Sequence, residues 1–145
     1  MRKKSVLITG ANGEIGHRLV EALYKKNKTN IITLDINHLN ANISKLTSEE
    51  LIGNILDVDL IEQLNGEFEF LCIYHLAALL STRAEFSPRS AHDVNVGGTL
   101  NLLNLAMEQG RSQGKQIKFF FPSSIAVYGM ENRFEKNNAG LISEE

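Results

Sequence analysis

Three glycines near the N-terminus have the spacing of a phosphate-binding turn. They occur in the segment GANGEIG, residues 10–16, between an apolar run at 6–9 and an amphipathic segment at 14–26. Glycines at such a turn let the backbone approach a pyrophosphate, and the first amides and the dipole of the following helix attract the anion. The spacing is G-x-x-G-x-x-G rather than the G-x-G-x-x-G of the older fingerprint. A glycine-rich turn without a ligand is the alternative interpretation.

A carboxylate follows the second predicted strand at the distance expected of a ribose ligand. Asp35 ends the apolar run at residues 31–34, and it lies about 20 residues beyond Gly16, as in dinucleotide-binding proteins. A carboxylate at this place accepts hydrogen bonds from ribose hydroxyls and repels a 2′-phosphate, which favours NAD over NADP. The alternative is that Asp35 only caps the end of the strand.

Apolar runs and helical periodicity alternate along the chain and predict the elements that must position these residues. Ser87 and Pro88 supply the N-cap and the first-turn proline of the longest helix, and polar residues 36–50 and 130–140 are predicted to be irregular. The alternation of strands and helices predicts βαβ units and a parallel sheet. The predicted strands are 6–9, 31–34, 51–52, 68–75 and 117–121, and the predicted helices are 14–26, 57–64 and 87 to about 110.

Length and composition restrict the class of protein. With 145 residues, 43% apolar and 22% charged, the chain fits one globular domain rather than a disordered one. A net charge of −2 argues against a nucleic-acid surface, and no apolar run is long enough to cross a membrane. The lone Cys72 excludes a disulfide framework, and His75 has no second ligand at metal spacing, so no metal site is predicted. We therefore expect a reduced, cytoplasmic protein.

Four segments, in order, resemble the motifs of one enzyme family. Residues 9–16 are similar to its nucleotide loop, GNILD at 53–57 to its adenine-contacting stretch, HLAA at 75–78 to the segment along the cofactor, and SSIAVYG at 123–129 to the end of its active-site strand. The chain thus resembles the extended short-chain dehydrogenase/reductases, also called the NAD-dependent epimerase/dehydratase family. Asn54 stands where the family usually has Asp, and its amide oxygen can still accept a hydrogen bond.

The resemblance implies an α/β fold, a three-layer Rossmann-type sandwich with a mostly parallel sheet that is C-terminally truncated relative to the family. It implies a partial NAD-binding Rossmann domain over residues 1–129 and a loop over 130–145 that leads toward an absent catalytic helix and substrate domain. Within the family, Ser124 matches the catalytic serine; a serine that caps the turn after the strand is the alternative. The residues matched to cofactor binding are Gly10, Asn12, Gly13, Glu14, Ile15, Gly16, Asp35, Asn54, Ile55, Leu76, Ala77, Ala78, Asn95 and Ser123.

Asn95 lies on the long predicted helix, two residues before the pair Gly97 and Gly98. Adjacent glycines inside a helix cost roughly 1 kcal/mol each relative to alanine. A close approach of the helix to the sheet or to the cofactor would explain them. For Asn95 itself, a place beside the cofactor and a hydrogen bond to a backbone group in the helix packing are both open.

The implied activity is NAD-dependent oxidoreduction at a carbinol carbon, by dehydrogenation or by epimerisation through a transient ketone. The substrate is a small molecule, either a nucleotide sugar or an L-threonine-like amino acid, and LLS at 79–81 and PSSIA at 122–126 are similar to the short-chain L-threonine dehydrogenases. The family's base is a tyrosine with a lysine four residues later, whereas Tyr128 is followed by Asn132. We therefore expect the 145-residue chain to be inactive alone and able to form a homo-oligomer. A non-catalytic NAD sensor or regulatory module is the alternative, and a fragment that binds nothing is a third.

Overall fold

A five-stranded sheet forms the centre of the molecule, and all its strand pairs are parallel. The structure is a computed structural model that describes residues 2–26 and 29–140. The strand order is β3-β2-β1-β4-β5, so the α/β class and the Rossmann-type parallel sheet are confirmed. The strands are β1 (Lys3–Thr9), β2 (Asn30–Asp35), β3 (Glu49–Ile52), β4 (Phe68–His75) and β5 (Lys118–Phe120).

Helices follow the strands and cover both faces of the sheet. A π turn (Asp93–Gly98) joins two α-helices into one continuous helix, and a 3-10 turn (Ile125–Tyr128) follows β5. No helix in the described ranges is long and apolar enough to span a membrane. The α-helices are α1 (Glu14–Lys26), α2 (Ala41–Ser44), α3 (Val58–Glu67), α4 (Ser81–Phe86), α5 (Pro88–His92), α6 (Thr99–Gln113) and α7 (Arg133–Asn138).

The central strand β1 shows why the fold has three layers. Successive side chains of a strand point to opposite faces, so an apolar run is buried only where both faces are covered. Leu7 packs into the core between the sheet and helices α3 and α6. Its neighbours Val6 and Ile8 pack on the opposite face with Val20 of α1. Cys72 is buried in this second layer as a free thiol, and burial raises its pKa.

Short helices are the main departure from the sequence predictions. The segment 36–50 is not irregular throughout, because it contains α2 and the first residues of β3. Asn40 caps α2 through its side chain. The carboxylate of Glu50 accepts hydrogen bonds from Ser44 Oγ and from the Leu39 amide at 2.8 Å, and these two donors lower its pKa. These contacts join residues distant in sequence, so no local period announces them.

The C-terminal half differs in three further places. Ser87 and Pro88 occupy the predicted cap and first-turn positions, but Ser87 Oγ bonds Ser90 Oγ rather than a backbone amide. The long helix ends at Gln113 instead of near residue 110, because Gly114 adopts the left-handed conformation that closes it. A short helix, α7, occupies part of 130–140, where an irregular chain was predicted. The domain division at residue 129 stays a prediction.

Strand β5 lies at the edge of the described sheet, and this changes the environment of its aromatic residues. Phe119 packs against the core. Phe120 and Phe121 are 52% and 55% exposed, because no further strand of the described residues covers this side of the sheet. Phe120 stacks on Tyr74 of β4, with 5.1 Å between ring centroids, and its other side is open. Ile15 of α1 is likewise exposed rather than part of the buried helix face.

Candidate functional site

A cavity of about 550 Å³ opens at the carboxyl ends of the central strands. The residues that follow β1, β2, β3 and β4 all contribute to its walls. From β1 the sheet grows in one direction through β2 and β3 and in the opposite direction through β4 and β5, so the order of strands switches between β1 and β4. Ligands of open α/β sheets bind at such a switch point, outside the carboxyl ends of the strands. The cavity is therefore at the place where the fold class positions its ligands.

The glycine turn after β1 forms one wall of this cavity through Gly10, Asn12 and Gly13. Gly10 has a φ of +68°, and a Cβ there would lie 2.5 Å from the Ala77 nitrogen, so no other residue fits. The amide of Gly13 donates to the Gly10 carbonyl at 3.2 Å and closes the turn. The backbone here packs directly on the segment after β4.

The first turn of α1 lies beside the cavity rather than in its wall. The first bond that the helix donates back to the turn runs from the His17 amide to the Gly13 carbonyl at 2.9 Å. The amides of Glu14, Ile15 and Gly16 precede it, as the orphan donors of a helix N-terminus do. A Cβ on Gly16 would lie 2.5 Å from the Ala11 carbonyl oxygen, so this glycine serves the packing of the helix on the turn.

Asp35 lies in the cavity wall and is held in place by backbone donors. Its Oδ2 accepts the Asn12 amide at 2.9 Å, and its Oδ1 accepts the Asn37 amide at 3.0 Å. One carboxylate thus connects the glycine turn to the segment after β2. Each carboxylate oxygen has a second lone pair, which leaves acceptor capacity for the hydroxyl groups of a ligand.

The segment after β3 supplies Asn54 and Ile55 to the wall. Asn54 Oδ1 accepts the Leu56 amide at 3.0 Å, which makes an Asx turn. Ile55 is buried, and a methyl group on Gly98 would overlap its side chain. The close approach expected from the glycine pair is therefore made by Gly98 to Ile55, a residue of the cavity wall.

Residues 76–80 follow β4 and form another part of the cavity wall. We name this segment the pocket loop. Leu76, Ala77 and Ala78 all line the cavity. Asn95 does not line it; instead its side chain accepts the Leu79 amide at 2.7 Å and donates to the Leu79 carbonyl at 3.0 Å. Of the two interpretations of Asn95, the structure shows the backbone hydrogen bond. Asn95 shapes the cavity by holding this loop.

His75 is the last residue of β4 and is only 1% exposed. Its Nδ1 lies 2.7 Å from Thr9 Oγ1, and its Nε2 lies 3.0 Å from Thr99 Oγ1. Burial lowers its pKa to about 4. Both ring nitrogens are engaged by hydroxyls, and within the described residues no three His, Cys, Asp or Glu side chains are grouped to hold a metal.

Ser123 and Ser124 follow β5 at the same edge of the sheet but do not line the cavity. The Val127 amide donates to the Ser124 carbonyl at 3.1 Å and begins the 3-10 turn. Both serines are exposed. The structure therefore brings the glycine turn, Asp35, Asn54–Ile55 and the pocket loop together in one cavity wall, and the two serines lie outside that wall.

Several wall residues escaped sequence reasoning. Ile36 and Asn37 directly follow Asp35, and their position after a strand could have indicated them. Thr82 and Arg83 reach the cavity from α4, a helix too short to produce a period, and Val94 reaches it from the π turn. Arg83 and Asp35 are the two charged side chains of the wall.

The sequence of the chain is similar to a known protein family and to curated proteins. Residues 7–139 match the sequence profile of the family described as GDP-mannose 4,6 dehydratase. An uncharacterized epimerase/dehydratase of Staphylococcus aureus (strain USA300) is 36% identical over 127 residues, which are 87% of this chain and 38% of that protein. The chain thus spans 38% of the length of this curated relative.

The chain is also similar to solved structures of L-threonine dehydrogenases. A GalE-like L-threonine dehydrogenase from Cupriavidus necator (holo form) is 33% identical with a TM-score of 0.69, over 85% of this chain and 38% of that one. L-threonine 3-dehydrogenase from Trypanosoma brucei is 34% identical with a TM-score of 0.71, over 83% of this chain and 36% of that one.

Proposed function

Because the chain belongs to the GDP-mannose 4,6 dehydratase family of epimerases and dehydratases, we propose that its cavity binds NAD. The observation that carries the proposal is the direct hydrogen bond from the glycine turn, through the Asn12 amide, to Asp35 Oδ2. This bond holds the turn that would face the phosphates against the carboxylate that would bind the ribose, the two groups that a dinucleotide site combines. The cavity of about 550 Å³ supports the proposal by its volume, because it has the size of a ligand site.

Each part of the cofactor has matching chemistry in the wall. Asp35 would accept the adenosine ribose hydroxyls, and the glycine turn with the amides of Glu14, Ile15 and Gly16 would face the pyrophosphate. Ile55 offers an apolar surface to the adenine ring, and Asn54 a polar edge beside it. The pocket loop, with Leu76, Ala77 and Ala78, would lie along the remainder of the dinucleotide.

A matched pair of glycine variants tests NAD binding. Gly13 lines the cavity, whereas a methyl group on Gly66 in α3 meets nothing within 4 Å. Gly13→Ala places a methyl group where the pyrophosphate would approach, so we expect calorimetry to show at least about tenfold weaker NAD binding, equivalent to about 1.4 kcal/mol. Gly66→Ala should bind like the wild type. No binding by the wild type, or equal losses in both variants, would contradict the proposal.

The reaction that we propose for the family domain is oxidation at a carbinol carbon. Bound NAD would supply the hydride acceptor for such a carbon. Ser124 would hydrogen-bond the substrate hydroxyl through its own hydroxyl, with Ser123 beside it at the cofactor end of the strand. The relatives named L-threonine dehydrogenases support an amino-acid substrate with a secondary alcohol, and the family description supports a nucleotide sugar.

Two further expectations belong to the proposal. The half-exposed Phe120 and Phe121 on the edge strand support self-association, which size-exclusion chromatography at several concentrations tests. A cytoplasmic location would give the site access to NAD, and cell fractionation tests it. A non-catalytic NAD sensor would share the binding site, and it would be supported if a longer form of the protein also made no product with either substrate class.

A further inference from the structure

We propose that His75 is a positioning residue that holds the pocket loop in its binding geometry through one neutral tautomer, with the proton on Nε2. This inference rests on the proposed NAD binding for its functional consequence, but its structural part does not. Two threonines and one asparagine, Thr9, Thr99 and Asn95, connect the ring to the loop.

The direction of the hydrogen bonds assigns the tautomer. Thr99 Oγ1 donates its single proton to the Asn95 carbonyl at 2.6 Å, so it can only accept from the ring. His75 Nε2, 3.0 Å away, must therefore carry a proton. Nδ1 of a neutral imidazole is then an acceptor, and it accepts the Thr9 hydroxyl at 2.7 Å. Each donor in this series of hydrogen bonds thus has one acceptor.

The chain of bonds reaches the pocket loop from two sides. On the strand side, Thr9 receives the Leu76 amide on its carbonyl oxygen at 3.0 Å and the Ala77 amide on Oγ1 at 3.5 Å. On the helix side, Thr99 is bonded to the backbone of Asn95, whose side chain holds both backbone groups of Leu79. The helix side has the shorter contacts, so it should dominate the position of the loop.

The environment of the ring keeps this arrangement neutral. Phe119 and Phe121 flank the ring, with centroid separations of 6.0 and 5.5 Å. These rings and the two threonines are uncharged, and burial alone lowers the pKa of His75 to about 4. Protonation of Nδ1 would require the Thr9 hydroxyl to turn its proton away from that nitrogen, and the hydrogen bond that Thr9 donates to the ring would be lost. The neutral ring is thus the form that the site accepts.

Two amide variants separate the two ends of the ring. The side-chain amide of Gln reaches the position of Nε2, and that of Asn reaches the position of Nδ1. We expect His75→Gln to keep the Thr99 bond and NAD binding within about threefold of the wild type. We expect His75→Asn, which keeps only the Thr9 side, to bind NAD about tenfold more weakly, as for the loss of one buried hydrogen bond. His92→Gln, at a side chain that is 72% exposed, is the matched control.

A second pair of variants tests the helix side and allows rescue. Thr99→Val removes the hydroxyl at nearly constant size, and Thr99→Ser restores it. Hydrogen exchange of the Leu79 amide, which donates to Asn95 Oδ1, should accelerate in Thr99→Val and return to the wild-type rate in Thr99→Ser. Unchanged exchange in Thr99→Val would overturn the proposal.

Nitrogen NMR of the ligand-free protein near neutral pH gives the direct readout. A proton on Nε2 with Nδ1 bare supports the assignment, and the reverse tautomer overturns it. Equal NAD affinities for His75→Gln and His75→Asn would also overturn it, provided that the wild type binds NAD. If the wild type binds no NAD, the proposed function fails, while the tautomer and the Leu79 exchange rate still decide the inference.

Discussion

The carboxylate of Asp35 is fixed before any ligand arrives. Backbone amides of Asn12 and Asn37 occupy one acceptor position on each of its oxygens. A group that is already ordered loses little conformational freedom on binding, so its hydrogen bonds contribute more to affinity. Sequence reasoning found this residue from spacing alone, but not the amides that orient it, because those depend on how the turn and the strand meet.

Replacement of Asp35 by alanine should weaken NAD binding and relax the rejection of NADP. A hydrogen bond to a charged group is worth about 1.5–3 kcal/mol, which corresponds to a ten- to hundredfold loss. Titration calorimetry with both cofactors measures the effect, and Asp59→Ala, at an exposed position on α3, serves as the control. If the wild type binds NADP as tightly as NAD, this role for Asp35 is wrong.

His75 should make the stability of the protein depend on pH below neutrality. Its pKa is lowered from 6.5 to about 4 in the folded state, so the unfolded chain binds a proton that the folded chain rejects. The contribution is present above about pH 6.5 and is lost as the pH falls toward 4, up to about 3 kcal/mol. Urea unfolding at several pH values should show a steeper decline for the wild type than for His75→Gln. Parallel curves would contradict the expectation.

At the scale of elements, length separates what the sequence predicted from what it missed. Strand β4 and helix α1 are long enough to show their apolar patterns, and the predicted bounds of both agree with the structure. Helices α2 and α4 have four and six residues, which is too short for the helical repeat of about 3.6 residues to be recognised in the sequence. They are determined by contacts such as Ser44 with Glu50. Because α4 carries Arg83 to the cavity, this part of the wall could not be predicted.

The π turn gives a test of element packing through two neighbouring glycines. A methyl group on Gly98 would overlap the Ile55 side chain, whereas one on Gly97 would lie 3.5 Å from Leu56 Cδ2. Gly98→Ala should therefore lower the free energy of unfolding by about 1–3 kcal/mol, as overpacking does. Gly97→Ala should be neutral or raise it by up to about 1 kcal/mol, because alanine favours the helix. Equal effects in chemical denaturation would show that the close approach to Ile55 is unimportant.

At the scale of the whole molecule, the parallel sheet places the cavity at the carboxyl ends of its central strands, and Ser123 and Ser124 follow the carboxyl end of β5. Hydride removal from an alcohol needs a base within about 2.6–3.2 Å of the hydroxyl proton. In the family that the chain resembles, this base is a tyrosine paired with a lysine four residues on. Tyr128 lies in the 3-10 turn and is followed by Asn132 instead.

We therefore expect the 145-residue chain to bind NAD without turnover. Absorbance of NADH should not rise with L-threonine or with nucleotide sugars, because the hydroxyl of Ser124 is a poor base near neutral pH. One full-length relative assayed in parallel shows that the conditions permit the reaction. Steady NADH formation by this chain that disappears in Ser124→Ala would mean that it contains a base not identified here.

The two hydrogen bonds between the Asn95 side chain and the Leu79 backbone have a consequence for how the pocket loop can change in sequence. A single amide side chain pairs with one N–H and one C=O, as the next strand of a sheet would do. The pocket loop thereby gains two backbone hydrogen bonds without a strand beside it, and neither bond involves the side chains of the loop. We therefore expect that Leu80, 73% exposed, and Ala78, also exposed, can be exchanged with little effect on the path of the chain. Recognition of new ligands could be acquired here by substitution alone, on a backbone that another element keeps in place.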